Sequence, residues 1–281
     1  MSSIYGYFLV VIVAAAIYWY CSSWLPQRRL RAVISTPFLP EWLIILKTLP
    51  VYECLPPSLQ VELQQKIKIF LHEKQFVGCE GLVVTDEMRI IIATEACLLI
   101  LNRPSTTYQG LSWIYIYPSG FRSRLAHTDQ AGVVSESSDH LLGVSWSNGR
   151  VILSWDSVRA DADNPTDGHN VVLHEFAHQL DQEGGPADGA PLLYTRDAYR
   201  TWSQVMADEF GHLREQLVRG ETPLIDSYGA TAPAEFFAVV TEMFYERPHA
   251  LQRQYPALYA TLSDYFRVDP RQWHKHAGSK A

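Results

Sequence analysis

The feature that most constrains the fold is the sequence HEFAH at residues 174–178, which lies in a stretch with helical spacing of apolar residues, VVLHEFAHQLD. Asn170 precedes this stretch and could cap a helix there. In a helix, His174 and His178 lie on one face, one turn apart, so both imidazoles can reach one metal ion. The alternative is a histidine pair that serves only packing or solvation. The context favours a helix that supplies two metal ligands.

Glu175 follows the first histidine and would lie beside the open position of such a metal, where a water molecule binds. A catalytic zinc site normally has three protein ligands, and no third histidine follows at the spacing HExxHxxGxxH. The third ligand must therefore come from later in the chain. The candidate carboxylates are Asp181, Asp226, Glu235 and Glu242.

Two of these candidates stand out because they occur one heptad apart in PAEFFAVVTEMFYE. Glu235 and Glu242 then share one face of an apolar helix, where buried carboxylates need partners. A metal and its histidines would supply those partners, whereas the alternative is a structural salt bridge to an arginine. Asp181 is better placed to support a histidine ring or a loop than to bind the metal. Tyr228 could donate a hydrogen bond to a developing oxyanion, although its spacing alone favours a packing role.

The N-terminus has a different character, because no charged side chain occurs from Ser2 to Gln27. The apolar run predicts one transmembrane helix in residues 1–25, with residues 4–24 in the lipid bilayer. Arg28, Arg29 and Arg31 follow it and favour a single-pass protein of the inner (cytoplasmic) membrane whose main domain faces the cytoplasm. The alternative is a secretory signal with an exported domain.

The remaining pattern predicts a juxtamembrane linker over 26–47, a main domain over 48–268 and a flexible tail over 269–281. Helices are expected at 58–73, 86–101, 196–219, 233–245 and 249–266, strands at 79–84, 113–117, 143–146 and 150–155, and polar loops at 157–169 and 182–191. Strand 150–155 could pair with an extended substrate if it lies at a sheet edge. The net charge of −7 argues against a nucleic-acid partner.

Three motifs occur in order along the chain: WIYIYPSGF, HEFAHQLD and IDSYGATAPAEFFAVVTEMFYE. Together they resemble the Mlc titration factor A family of zinc-dependent peptidases over roughly residues 48–268. The resemblance implies a zincin-like, gluzincin-type α+β fold with a small β-sheet and several helices. It also implies His174, His178 and Glu235 as ligands of one Zn²⁺, Glu175 as general base and Tyr228 as a donor to the transition state.

The expected function is thus a membrane-anchored zinc metallopeptidase that acts on a peptide or protein substrate, with the aminopeptidase-type activity that the family implies. The enterobacterial member of the family also binds a transcriptional repressor of sugar uptake. A regulatory binding protein with little or no proteolysis is therefore the alternative, with a transcriptional regulator as partner. A zinc hydrolase with a substrate other than a peptide is a third reading, because ligands do not define the substrate class.

Overall fold

The computed structural model describes residues 7, 11–15, 18–20, 24–103, 108–122, 125–128, 134–137, 140–141, 143–146 and 149–273. Contacts divide the chain into two compact units, Met1–Leu39 and Pro40–Ala281. Helices account for most of the described residues. Their bounds are α1 Leu25–Ser35, α2 Pro40–Leu46, α3 Pro50–Cys54, α4 Pro57–Glu73, α5 Asp86–Leu98, α6 Trp155–Asp163, α7 Val171–Asp181, α8 Arg196–Val218, α9 Pro233–Glu246, α10 Pro248–Gln254 and α11 Pro256–Phe266.

The first unit contradicts the predicted membrane anchor. A helix needs about 20 consecutive apolar residues to cross a bilayer, and no helix within the described residues combines that length with that apolar character. Helix α1 has 11 residues and includes Arg28, Arg29 and Arg31. Part of the predicted span, including residues 1–6 and 8–10, lies outside the described residues. The predictions of a transmembrane helix, of contact with the bilayer and of an inner-membrane location are therefore wrong.

The sheet is small and lies in the second unit. Its strands are β1 Gln75–Gly78, β2 Trp113–Tyr117, β7 Gly143–Trp146 and β8 Arg150–Ser154, in the order β1-β2-β8-β7. The first three in this order are parallel, and β7 runs antiparallel to β8. Two-stranded pairs are formed by β3 Phe121–Arg122 with β6 His140–Leu141 and by β4 Leu125–Thr128 with β5 Val134–Ser137.

Strand β8 is internal, since β2 and β7 pair with its two sides. The suggestion that this strand offers a free edge to a substrate is therefore wrong. Among the described strands of this sheet, β7 occupies the end of the order instead, next to the HExxH helix α7.

The fold-class prediction of an α+β domain behind a transmembrane helix is also wrong, because helices dominate the described chain. One cause is the stretch predicted as a polar loop over 157–169, of which residues 157–163 belong to helix α6. The predicted strand over 79–84 is replaced by a tight turn, in which Glu80 and Gly81 have φ values of 51° and 82°. Pro256 divides the helix predicted over 249–266 into α10 and α11, since proline has no N–H to donate.

Aromatic packing holds the HExxH helix in the core. Phe176 is fully buried, and its ring centroid lies 5.7 Å from that of Phe70 on α4 and 4.9 Å from that of Tyr108. Rings that pack at such distances stabilise a core beyond their buried area alone. Helix α7 also packs against α9, the second helix of the candidate site.

Candidate metal centre

The HExxH motif lies in helix α7, as its periodicity predicted. Its start is capped by Asn170, whose side-chain oxygen accepts a hydrogen bond from the backbone N–H of Leu173 at 2.9 Å. The buried residues Phe176, Ala177 and Leu180 fix the rotation of the helix. His174 and His178 therefore leave the same side, with ring centroids 4.9 Å apart.

Glu235 meets these two imidazoles from the first turn of helix α9. Its Oε2 lies 3.1 Å from Nε2 of His174 and 3.3 Å from Nε2 of His178. One ligand atom from each of the three residues lies within 4.8 Å of the others, so the group could hold a metal ion. The three side chains are 14%, 11% and 23% exposed, respectively for His174, His178 and Glu235, which leaves the group accessible from one side.

The donor set fits zinc by chemistry and by spacing. Two imidazole nitrogens and one carboxylate oxygen are common zinc ligands. Ligand atoms at tetrahedral angles and bond lengths of about 2.0–2.1 Å would lie about 3.3–3.4 Å apart. The two distances to Glu235 Oε2, 3.1 and 3.3 Å, are close to that separation.

Glu242 orients the first histidine from behind. Its Oε1 lies 2.8 Å from Nδ1 of His174, and its Oε2 accepts a hydrogen bond from the backbone N–H of Asn170 at 2.6 Å. A carboxylate on Nδ1 fixes the ring orientation and directs Nε2 toward the metal position. Glu242, which its heptad spacing made a candidate ligand, thus supports the ring of His174 from Nδ1, while Glu235 contacts Nε2 of the same ring.

The charges of the group depend on one another. Burial disfavours protonated His174, but hydrogen bonds to Glu235 and Glu242 outweigh burial and raise the pKa of His174 to about 10. Burial would also raise the pKa of Glu235, yet its hydrogen bonds with His174 and His178 hold that pKa well below the usual value. The site therefore favours a positive charge beside the Glu235 carboxylate, which a proton or a metal ion can supply.

Glu175 lies buried next to this group, with 4% of its surface exposed. Its Oε2 has no hydrogen-bond partner among the described residues. Burial is the largest cause that raises its pKa, to about 7, and the nearby histidines oppose the rise. A carboxyl with that pKa can exchange a proton near neutral pH.

Tyr228 lies beside the group and is half exposed. Its ring centroid is 5.9 Å from that of His174, and 51% of the residue is exposed. Asp226, one of the carboxylates considered as a ligand, instead accepts a hydrogen bond from the backbone N–H of Tyr228 at 2.7 Å. Asp226 therefore holds the turn that carries the tyrosine, and it is absent from the group of described residues that could hold a metal.

Asp181 also lies outside that group and supports a loop. Its Oδ2 accepts a hydrogen bond from the backbone N–H of Gly189 at 2.8 Å, and the carbonyl of Gly189 accepts one from the indole of Trp202 at 2.8 Å. Gly189 has a φ of 79°, and a Cβ there would lie 2.5 Å from the carbonyl oxygen of Pro233. This loop therefore packs directly against the start of the helix that carries Glu235.

The contacts of Glu246 and the second role of Asn170 were not predicted from the sequence. Glu246 accepts a hydrogen bond from the backbone N–H of Gly168 at 3.0 Å and another from the side chain of Asn170 at 3.2 Å. Asn170 therefore joins Glu246 to the start of the HExxH helix in addition to capping it. Glu246 follows Glu242 by one helical turn, and that spacing was the only sequence signal for it.

A histidine pair and a distant glutamate on two packed helices, with a buried glutamate beside the first histidine, are features of HExxH metallopeptidases. Residues 24–267 match the family model described as glucose-regulated metallo-peptidase M90. The chain belongs to this M90 metallopeptidase family.

Similar proteins agree with this assignment. An uncharacterized protein of Synechocystis sp. is 40% identical over 263 residues, which cover 93% of this chain and 95% of the relative. Mlc titration factor A of Serratia proteamaculans is 33% identical over 203 residues, or 71% and 76% of the two chains. The protein of the same name from Yersinia pestis is 30% identical over 222 residues, or 77% and 81%. The predicted resemblance to the Mlc titration factor A family is confirmed.

Proposed function

We propose that this chain is a zinc-dependent peptidase in which His174, His178 and Glu235 bind the metal. The observation that carries the proposal is the position of Glu235 Oε2, within 3.3 Å of one nitrogen of each imidazole. Membership of a metallopeptidase family supports the same chemistry. When bound there, zinc supplies a positive charge that lowers the pKa of a water molecule and polarises a carbonyl oxygen.

Glu175 is the proposed general base. Its buried carboxylate accepts the proton of the attacking water and then delivers a proton to the amine that leaves the cleaved peptide bond. Oε2 of Glu175 has no hydrogen-bond partner among the described residues, so the proton transfer does not first break a hydrogen bond between this oxygen and any of them. Glu242 keeps the ring of His174 in place during the reaction through its 2.8 Å contact with Nδ1.

Strand β7 is the proposed docking edge for the substrate backbone. It lies at the end of the described sheet order, and its backbone is next to helix α7, which carries both histidines. An extended peptide that adds to such an edge gains main-chain hydrogen bonds with little dependence on its sequence. The substrate would then pass along the accessible side of the metal group.

The peptidase proposal is tested by removing and restoring the metal. We expect the purified full chain to contain about one zinc per molecule and to cleave members of a peptide library. A chelator should abolish cleavage, and zinc should restore it. Peptides with free and with blocked N-termini, compared by mass spectrometry, separate aminopeptidase from internal cleavage. Cleavage that persists in metal-free protein, or no cleavage of any peptide by zinc-loaded protein, would contradict the proposal.

Tyr228 is proposed to donate its phenolic proton to the oxyanion that forms during hydrolysis. Replacement by phenylalanine removes only the hydroxyl, so we expect kcat to fall by about tenfold to a few hundredfold with little change in KM. Tyr194→Phe is the matched control, because Tyr194 is also exposed (59% against 51%) and lies in another pocket. Equal rates for wild type and Tyr228→Phe would remove the hydroxyl from the mechanism.

A second candidate function is supported by the relatives named Mlc titration factor A. In this proposal the chain binds a transcriptional regulator. Binding of a regulator would not need the proton transfer by Glu175, so Glu175→Gln should retain the partner and lose hydrolysis. Loss of both properties in that folded variant would instead join them in one site.

A further inference from the structure

A cavity of about 270 Å³ lies beside the start of the HExxH helix, among helices α3, α5, α7 and α9. Its lining includes the apolar residues Val51, Leu98, Leu173 and Trp273 and the acidic residues Glu95 and Glu246. None of the three proposed metal ligands lines it. Its volume is close to that of pockets that bind small molecules.

Glu95 is the unusual residue of this cavity. It lies on helix α5 and is only 5% exposed, yet its Oε2 has no hydrogen-bond partner within the described part of the chain. A buried carboxyl oxygen without a partner costs free energy, so it needs a donor from a ligand or another explanation. Burial and, second, the charge of Asp161 raise the pKa of Glu95 to about 8.

Glu246 brings a second carboxyl to the same cavity and is also 5% exposed. Burial is the main cause that raises its pKa to about 9, and the nearby Glu95 adds to the rise. Among the described lining residues there is no lysine or arginine that could neutralise the two carboxyls. The cavity thus combines an apolar wall with an acidic end that has no cation of its own.

We infer that this cavity binds a small hydrophobic amine, whose ammonium group donates to the carboxyl group of Glu95 while its apolar part contacts Leu98, Leu173 and Trp273. Both carboxyls are protonated near pH 7 while no cation is present, and an ammonium group stabilises the ionised form of Glu95, so binding of the amine releases a proton from this carboxyl. A purely apolar ligand would leave the buried oxygen without a donor.

Asn170 connects the cavity to the neighbouring metal group through hydrogen bonds. Asn170 lines the cavity, donates to Glu246 and caps the HExxH helix, and its backbone N–H donates to Glu242. The inference itself does not depend on peptidase activity, because the cavity and its two carboxyls are independent of the metal.

The test is isothermal titration calorimetry of the full chain with 2-phenylethylamine and with its neutral analogue 2-phenylethanol. We expect saturable binding of one amine per chain and about tenfold weaker binding of the alcohol, which lacks the charge-assisted hydrogen bond. Glu95→Gln should weaken amine binding by about tenfold or more. Glu53→Gln is the matched control, because Glu53 is an exposed neighbour of the lining residue Val51 and should bind like wild type.

A second variant, Val51→Phe, narrows the cavity at a half-buried position and should abolish binding even if Glu95→Gln folds poorly. Circular dichroism establishes that each variant is folded. Equal affinities for amine and alcohol, unchanged binding in folded Glu95→Gln or Val51→Phe, or no saturable binding would overturn the inference. The titration is repeated on chelator-treated protein, so that its result is separate from the success or failure of the peptidase proposal.

Discussion

Glu175→Gln should lower kcat for peptide hydrolysis by about two to four orders of magnitude while the protein keeps its zinc. Glutamine has nearly the shape of glutamate but cannot accept the proton of the attacking water at neutral pH. None of the three proposed ligands is changed, so the metal content should remain at about one per chain. The measurements are single-peptide cleavage rates and elemental analysis of the same purified samples.

Glu215→Gln provides the control for this variant. Glu215 lies on helix α8 with 72% of its side chain exposed, and its substitution removes the same charge at the surface. Its rate should match that of wild type. A Glu175→Gln enzyme as fast as wild type would exclude Glu175 as the base, and loss of zinc from it would show that its effect is on the metal instead.

Glu235→Ala should weaken zinc binding by more than about a hundredfold. Loss of a partner that only orients a ligand typically costs 10–100-fold in metal affinity, and loss of a ligand should cost more. The side chain is 23% exposed, so the space that its truncation opens is partly accessible to solvent. Competition with a chromogenic chelator measures the affinity directly and does not require any substrate.

Glu242→Gln is the comparison for this experiment, because Glu242 contacts Nδ1 of His174 rather than the proposed metal position. Its zinc affinity should fall by about tenfold, clearly less than that of Glu235→Ala. Equal losses for the two variants would mean that Glu235 also acts only by orienting a histidine. Unchanged affinity in Glu235→Ala would require a different third ligand.

Local patterns predicted the parts of the site that depend on one helix at a time. The spacing of His174 and His178 and the cap at Asn170 agree with helix α7 as observed. The heptad between Glu235 and Glu242 placed both carboxylates on one face, and both contact His174. The spacing alone could not predict which glutamate faces Nε2 and which faces Nδ1, because that depends on how two helices cross; only the family resemblance singled out Glu235.

Features that depend on distant contacts were missed for the same reason. The β-rich pattern of Arg150–Ser154 predicted a strand but not its neighbours, and only the sheet order shows that it is internal. The apolar N-terminal residues suggested a membrane span, which the described helices do not supply. Glu95 gave no signal, because a single glutamate in an apolar helix can equally face solvent or a cavity.

The contact of Gly189 with Pro233 limits which residues can replace Gly189 without moving the metal group. The loop that contains Gly189 packs against the start of helix α9 with no room for a side chain. A Cβ at Gly189 would lie 2.5 Å from the Pro233 carbonyl oxygen. A bulkier residue would push the start of helix α9, and Glu235 with it, away from the histidines. The gap between the ligands is thus set partly by a residue that touches none of them.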